Sequence, residues 1–356
     1  MNVLDSFTKI ERFDKSNMLG LIESFPDQCQ DAKCIGYDFE LPEGFRTSYR
    51  NIVCSGLGGS AIGADLVRSY IAGDAKIPVF VNRNYNLPNF VDENTLVIVS
   101  SYSGNTEETL SAYRDARSRG SEIVVITSDG KLDKNAKEDG VPRINIPAGF
   151  PPRAALGYSF FPLLILFSKL GIIKDQAALI DDAIHNLRKL KNGRIGYKVK
   201  HQDNLAKKIA NELFGKFIVI YGGQDHTDSV VTRWRGQLAE NSKTLASSHI
   251  FPEMNHNEIV GWENPKKIIK NFAVVILRDA ADHPRTSKRM DVTRHILKKD
   301  KIQVIEVLSA GKELLTRMFS LIYIGDFVSF YLAILNSRDP SPVERINYLK
   351  KEMGKA

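Results

Sequence analysis

Two short runs in the first third of the chain gather side chains suited to holding an anion. Ser101-Tyr102-Ser103-Gly104-Asn105-Thr106 places three aliphatic hydroxyls and a glycine where a β-branched run gives way to a helical one. Helix N-termini present unpaired backbone N–H groups and the positive end of the helix dipole, so hydroxyls clustered there suit a phosphate. Helix capping is the competing reading, because Asn105 and Glu108 have capping-box spacing. Capping needs one such side chain, however, whereas this run offers several. Glu107 and Glu108 would repel an anion and are expected to face outward.

The second run is Gly56-Leu57-Gly58-Gly59-Ser60-Ala61-Ile62-Gly63. Glycines let the backbone approach an anion closely, and Ser60 adds a hydroxyl. Gly56, Gly58 and Ala61 also fit the dinucleotide fingerprint, which wants an acid about 20 residues further on for the ribose. The sequence there reads Asn82-Arg83-Asn84, which counts against NAD. A tight turn without a ligand is the other alternative for this loop.

Other residue types point away from metal chemistry. The seven histidines (His185, His201, His226, His249, His256, His283 and His295) show no paired spacing on one helix face, and no cysteine pair accompanies them. No metal and no cofactor is expected. His226, beside Asp225 in a glycine loop of the second half, forms a polar cluster without an assigned role, and no phosphate is expected there.

The anion loops must be carried by a scaffold, and the periodicity supplies one. Asn51–Gly56, Pro78–Asn82, Thr95–Gly104 and Glu122–Ser128 read as strands, separated by helical stretches at Ala64–Ala72 and Glu107–Arg119. Short β-branched runs alternating with helices indicate a parallel, doubly wound α/β sheet. In such sheets ligands bind beyond the carboxyl ends of the strands, where both loops fall. The second half repeats the scheme: Lys216–Gly223 again runs into glycines, and Asn271–Asp279 and Ile302–Ser309 correspond to the third and fourth strands. The expected fold is therefore two stacked α/β subdomains, each a mainly parallel sheet flanked by helices. The expected boundaries are an N-terminal helical segment over 1–45, a phosphate-binding domain over 46–160 and a helical linker over 161–200. A second domain follows over 201–330, then C-terminal helices over 331–356, with an apolar helix at Phe319–Leu335 and a last one after Asp339-Pro340.

Bulk properties agree with a soluble globular protein of two domains. The chain has 356 residues, 43% hydrophobic and 26% charged, and a formal charge of +7 without a polybasic run. That argues against nucleic-acid and membrane partners, and a mild positive excess suits a small anionic substrate. The three cysteines, Cys29, Cys34 and Cys54, form no framework and fit a reducing compartment. The N-terminal stretch carries acids unlike a signal or transit peptide. The longest uncharged apolar stretch, Ala154–Phe167, is too short to span a bilayer and reads as a buried helix. A cytoplasmic protein is expected.

GLGGSAIG and SSYSGNTEET together resemble the sugar isomerase (SIS) domain family, and within it the group of bifunctional phosphoglucose/phosphomannose isomerases. Thr232–Lys243 is similar to the segment carrying that family's catalytic glutamate, here Glu240. Phe251–Glu263 resembles the segment with the catalytic histidine, here His256, and Pro151–Phe160 the one with an active-site arginine, here Arg153. The terminal DPSPVERINYLK carries Lys350 where the family has a lysine. The resemblance runs from about Asn51 to Lys350. Where the glutamate segment usually reads Asn-Glu-Asn-Ala-Lys, this chain has Ala239-Glu240-Asn241-Ser242-Lys243. The C-terminal hydroxyl often supplied by threonine is Ser341, a substrate-specificity position. Ser341-Pro342-Val343-Glu344 also has the form of a capping box with proline at the first helical position.

The resemblance implies aldose–ketose isomerisation between glucose 6-phosphate or mannose 6-phosphate and fructose 6-phosphate. Gly59, Ser60, Ser101, Ser103 and Thr106 would hold the phosphate, whose binding energy orients the sugar. His256 would open the ring, since imidazole titrates near neutrality, with Lys350 assisting. Glu240 would move a proton between C2 and C1, a task for which partial burial makes a carboxylate more basic. Arg153 would stabilise the cis-enediolate without exchanging protons. The resemblance further implies a homodimer with shared active sites, His256 coming from the partner. Three rivals remain: a ketose-phosphate isomerase coupled to amidotransfer, which would need a cysteine nucleophile at the start; a non-catalytic sugar-phosphate sensor; and a nicotinamide-dependent oxidoreductase.

Overall fold

A computed structural model describes residues 3–224 and 226–355, so Asp225 of the second glycine loop lies outside the described residues. The chain divides into two compact units. One comprises Ser24–His185 with Glu313–Thr316, the other Met1–Glu23, Asn186–Lys312 and Arg317–Ala356.

Helices α1 (Phe7–Phe13) and α2 (Met18–Glu23) open the chain and belong to the second unit. The first unit begins with α3 (Phe25–Asp38). Its sheet holds β1 (Asn51–Ser55), β2 (Val79–Asn82), β3 (Thr95–Ser101), β4 (Glu122–Thr127) and β5 (Arg143–Asn145). All pairings are parallel, and the order is β2-β1-β3-β4-β5. Interleaved are α4 (Gly58–Ile71), α5 (Glu107–Ser118) and α6 (Gly130–Glu138), followed by α7 (Leu156–Lys169) and α8 (Ala177–Leu190). Every residue of β3 is buried, as a central strand covered on both faces requires. Val53, Val97, Val99 and Val125 pack with Leu110, Tyr113 and Leu132 on one face. Residues 156–167 of α7 are all buried, so this apolar run is the core helix expected from the sequence. The four expected strands are present. β5 was not anticipated, and α4 starts at Gly58 rather than near Ala64, because its first turn is built from the glycine loop itself.

The second unit continues with α9 (Leu205–Leu213), β6 (Phe217–Gly223), α10 (Asp228–Glu240) and β7 (Ala246–Phe251). Next come α11 (Glu258–Gly261), α12 (Lys266–Ile269), β8 (Phe272–Arg278), α13 (Pro284–Lys299), β9 (Gln303–Leu308), α14 (Leu314–Leu335) and α15 (Glu344–Met353). The sheet is again parallel, in the order β7-β6-β8-β9. Position by position, β6, β8 and β9 match β1, β3 and β4, as the sequence offsets indicate. β7 fills the place of β2 and was missed in the sequence.

α14 extends the expected apolar helix Phe319–Leu335 back to Leu314. Among the described residues, its 22 residues alone make a helix long and apolar enough to cross a membrane, with a mean hydropathy of 1.8 over an 18-residue window. That window is 94% buried within the protein, and Asp326 in its middle pairs with Arg233, so α14 is a core helix. Within the same unit, the buried Lys207 ammonium ties the start of the chain in place by donating to Asp5 and to the carbonyls of Tyr197 and Val199.

Candidate active site

In the first unit the two anion loops leave neighbouring strands. Ser55 of β1 is in register with Val99 of β3, and a Cβ on Gly56 would fall 2.9 Å from Ser100 O. Ser60 Oγ accepts the backbone N–H of Tyr102 at 3.1 Å, joining the loops directly. Leu57 is the N-cap of α4 and has no side-chain acceptor, so the first-turn N–H groups are not capped by that residue.

The competing reading, in which Asn105 caps α5, is not met. Thr106 is the N-cap, without a side-chain cap bond, and its Oγ1 instead accepts from Ser101 Oγ at 3.1 Å. Asn105 is occupied elsewhere: its Nδ2 donates to Ser103 O at 2.9 Å and its Oδ1 accepts from Lys131 N. Ser101 is thus joined to Thr106, and Ser60 to the Tyr102 N–H in the loop that also carries Ser103, beside the N-termini of α4 and α5, where hydroxyl and N–H donors suit phosphate. Glu107 is exposed and Glu108 half-buried. Gly104 is obligatory here, with φ +63° and a hypothetical Cβ 1.7 Å from Asp129 O.

Arg153 joins this region. It sits on the helical turn Pro152–Ala154, only 4% exposed. That turn seats against the first turn of α4, where a Cβ on Gly59 would lie 2.6 Å from Pro152 O. Two residues overlooked in the sequence hold it. Gln28 of α3 donates to Ala154 O and accepts from Gly157 N, both at 2.8 Å. The Tyr102 hydroxyl donates to Pro147 O and accepts from Phe150 N, bracing the approach to the turn. Tyr102 lies inside the hydroxyl motif, which was the available signal; Gln28 carries none. A surface hollow of about 500 Å³ lined by Tyr113, Arg117, Asn135 and Asp139 lies instead near the C-terminal turns of α5 and α6.

In the second unit Glu240 ends α10 and is half-buried. α10 is fixed along its length to α14. Arg233 and Gln237 both donate to the Asp326 carboxylate, at 2.8 and 2.7 Å, Trp234 Nε1 donates to Leu321 O, and Asn241 Nδ2 to Ser329 Oγ. Ser341 precedes α15, but the expected capping box does not form. Val343 is the N-cap, because the Ser341 N–H is taken by Asp339 Oδ1 in a turn two residues earlier. Lys350 is exposed on α15. His256 is exposed at the end of the turn Glu253–His256, after β7. The following Asn257 caps α11, and Glu258 accepts from the buried Tyr221 hydroxyl at 2.5 Å, anchoring the segment to β6.

The counterpart crevice at the ends of β6 and β8 has different chemistry. Asp279 accepts twice from Arg317 Nε, at 3.1 and 3.0 Å, and Asp282 accepts from Asp279 N at 2.9 Å. A Cβ on Gly223 would lie 3.0 Å from Asp282 Oδ1. Burial, with the Asp279 charge adding to it, holds the Asp282 carboxyl above the usual range, against the Asp279 N–H and the nearby Arg278 and His226. Nδ1 of His226 is buried here without a partner.

Two parallel doubly wound units, one with a hydroxyl-lined crevice, define the SIS class of protein. Residues 47–149 match the SIS domain, and residues 202–353 match the bacterial phospho-glucose isomerase C-terminal SIS domain. The chain is 47% identical over 336 residues to a bifunctional phosphoglucose/phosphomannose isomerase of Caldicellulosiruptor bescii, spanning 94% of this chain and 98% of that protein. Identity to the enzyme of the same name from Aquifex aeolicus is 38% over 310 residues, spanning 87% and 92%. Among solved structures, a hypothetical protein of Thermus thermophilus shares the fold at 15% identity, with a TM-score of 0.73 over 95% of this chain and 90% of that one. The chain belongs to the bifunctional phosphoglucose/phosphomannose isomerase family.

Proposed function

We propose that this protein interconverts glucose 6-phosphate and mannose 6-phosphate with fructose 6-phosphate through a common cis-enediolate. The observation that carries this reading is the hydroxyl crevice, in which Thr106 is turned from its own helix toward Ser101. The Ser60, Ser101, Ser103 and Thr106 hydroxyls and the backbone around Gly59 hold the phosphate. His256, assisted by Lys350, moves the proton from the anomeric hydroxyl to the ring oxygen, opening the ring. Glu240 then takes the C2 proton, the C2–H electrons form the C1–C2 double bond, and the C1 carbonyl oxygen becomes the enediolate oxygen. The buried Arg153 cation stabilises that charge. Transfer of the O2 proton to O1 and return of the C2 proton to C1, with the C1–C2 double-bond electrons forming the new C1–H bond and the O2 lone pair the C2 carbonyl, yields the ketose.

Glucose and mannose 6-phosphates differ only in configuration at C2, the carbon that becomes planar. One base and one phosphate site therefore serve both, and Ser341 biases the face on which C2 is reprotonated. The sequence boundaries extend the reading: 46–160 is the phosphate-binding SIS domain, 201–330 the second, 161–200 the helical linker, with helical segments at both ends. The free cysteines suit the cytoplasm. A homodimer with shared sites accounts for α15, whose Ile346, Leu349 and Met353 are 41%, 60% and 51% exposed at helical spacing.

The test is turnover of fructose 6-phosphate in EDTA, following both aldose phosphates. Formation of both supports the reading, and Glu240→Gln then lowers kcat by about 10²–10⁴-fold while binding persists. Binding without formation of either product sinks it.

A further inference from the structure

The turn after α10 contains a feature the proposed roles leave unused. Lys243 has φ +56°, in the left-handed region where a helix normally places glycine or asparagine. Residues held there persist only where surrounding contacts over-determine them. The turn itself does not need a lysine. Ser242 Oγ and the Thr244 N–H both already return to Leu238 O, at 2.6 and 3.1 Å, and a glycine would follow the same path without strain.

The lysine adds a bridge. Its ammonium donates to Glu240 O at 2.5 Å and to Pro340 O at 3.1 Å. The first contact sets a positive charge on the carbonyl end of α10, where the helix dipole is negative. The second reaches the residue immediately before Ser341. Asn336 reinforces the junction by donating to Ser242 O at 2.9 Å and Thr244 Oγ1 at 3.1 Å.

We propose that Lys243 is a positioning residue that locks the main chain of Glu240 to the Pro340-Ser341 segment, so that one ammonium sets the placement of both base and configuration-sensing hydroxyl. This rests on the roles proposed above for Glu240 and Ser341. Small displacements of a base from its proton are costly in rate, so loss of the bridge acts on kcat and on the ratio of the two aldose products.

The test uses the full-length Lys243→Gly, Lys243→Met and Lys243→Arg variants with fructose 6-phosphate, reading kcat, KM, product ratio and Tm. The glycine variant, relieved of strain, keeps or raises Tm, yet its kcat falls on the order of 10- to 100-fold. KM stays within about twofold, since phosphate binding is untouched. The glucose to mannose product ratio shifts, the methionine variant loses kcat similarly, and arginine recovers most of it. A glycine variant with wild-type kcat and product ratio overturns the inference, as does activity loss confined to variants whose Tm falls. Glu240→Gln run alongside separates the two claims. If it retains full turnover, the base assignment fails; if it is inert while Lys243→Gly is fully active, only this inference fails.

Discussion

The crevices at the ends of β1–β3 and β6–β8 share strand order, parallel pairing and a glycine-bearing loop, yet they present opposite chemistry. The first offers hydroxyls and helix N-termini around Ser60, Ser101 and Thr106. The second is occupied by Asp279 and Asp282, one held by Arg317 and the other packed over Gly223. A doubly wound sheet makes a crevice wherever neighbouring strands connect in opposite directions, and topology alone does not choose its ligand. Carboxylates in the place of hydroxyls accept hydrogen bonds instead of donating them, so the second crevice suits a phosphate less well than the first. Under the proposed mechanism the second copy of the fold supplies the base, Glu240, in place of a second binding loop.

Moving charge between the crevices should break the contrast most sharply. Thr106→Asp puts a carboxylate at the N-cap of α5, where it still suits the helix dipole but would face the phosphate of the proposed site. Like charges about 4 Å apart repel by about 4 kcal/mol at an effective dielectric of 20, so KM should rise by two to three orders of magnitude. Steady-state kinetics with an unchanged melting curve would show this.

Ser60→Ala is a smaller change. It removes one proposed hydrogen bond to the phosphate, of the kind worth about 1.5–3 kcal/mol with a charged partner, and KM should rise roughly tenfold or more. It also strips the acceptor from the Tyr102 N–H, loosening the join between the loops.

Asp282→Asn should have the least effect on turnover and a distinct effect on stability. The Asp282 carboxyl titrates higher in the folded than in the unfolded chain. Its stability contribution is therefore present in full below the unfolded value, near pH 4, and is lost as pH rises through the folded value. The asparagine variant should melt above wild type at neutral pH, with the gap closing as pH falls toward 4. Equal melting temperatures at both pH values would contradict the burial of that carboxyl.

Much of the scaffold is legible because buried parallel strands need continuous β-branched runs, as in Ile52–Cys54, Leu96–Val99 and Ala273–Leu277. The missed strands lack that signature. β7 reads Ala-Ser-Ser-His-Ile-Phe and lies at a sheet edge with most positions partly exposed, and β5 has only three residues. The start of α4 was hidden because Gly58 and Gly59 read as loop, while close packing against the Pro152–Ala154 turn requires them within the helix. Site residues were visible where they form a cluster, as the hydroxyls do. Gln28, Lys243 and Asn336 act singly, through main-chain carbonyls or N–H groups distant in sequence, and such contacts leave no local pattern.

The most direct measurement is a calorimetric titration of fructose 6-phosphate into the Glu240→Gln protein, with and without Thr106→Asp. One sugar phosphate per chain, lost on adding the aspartate, is the predicted result. Two per chain, or binding undiminished by the aspartate, would contradict the assignment of phosphate binding to the first crevice alone.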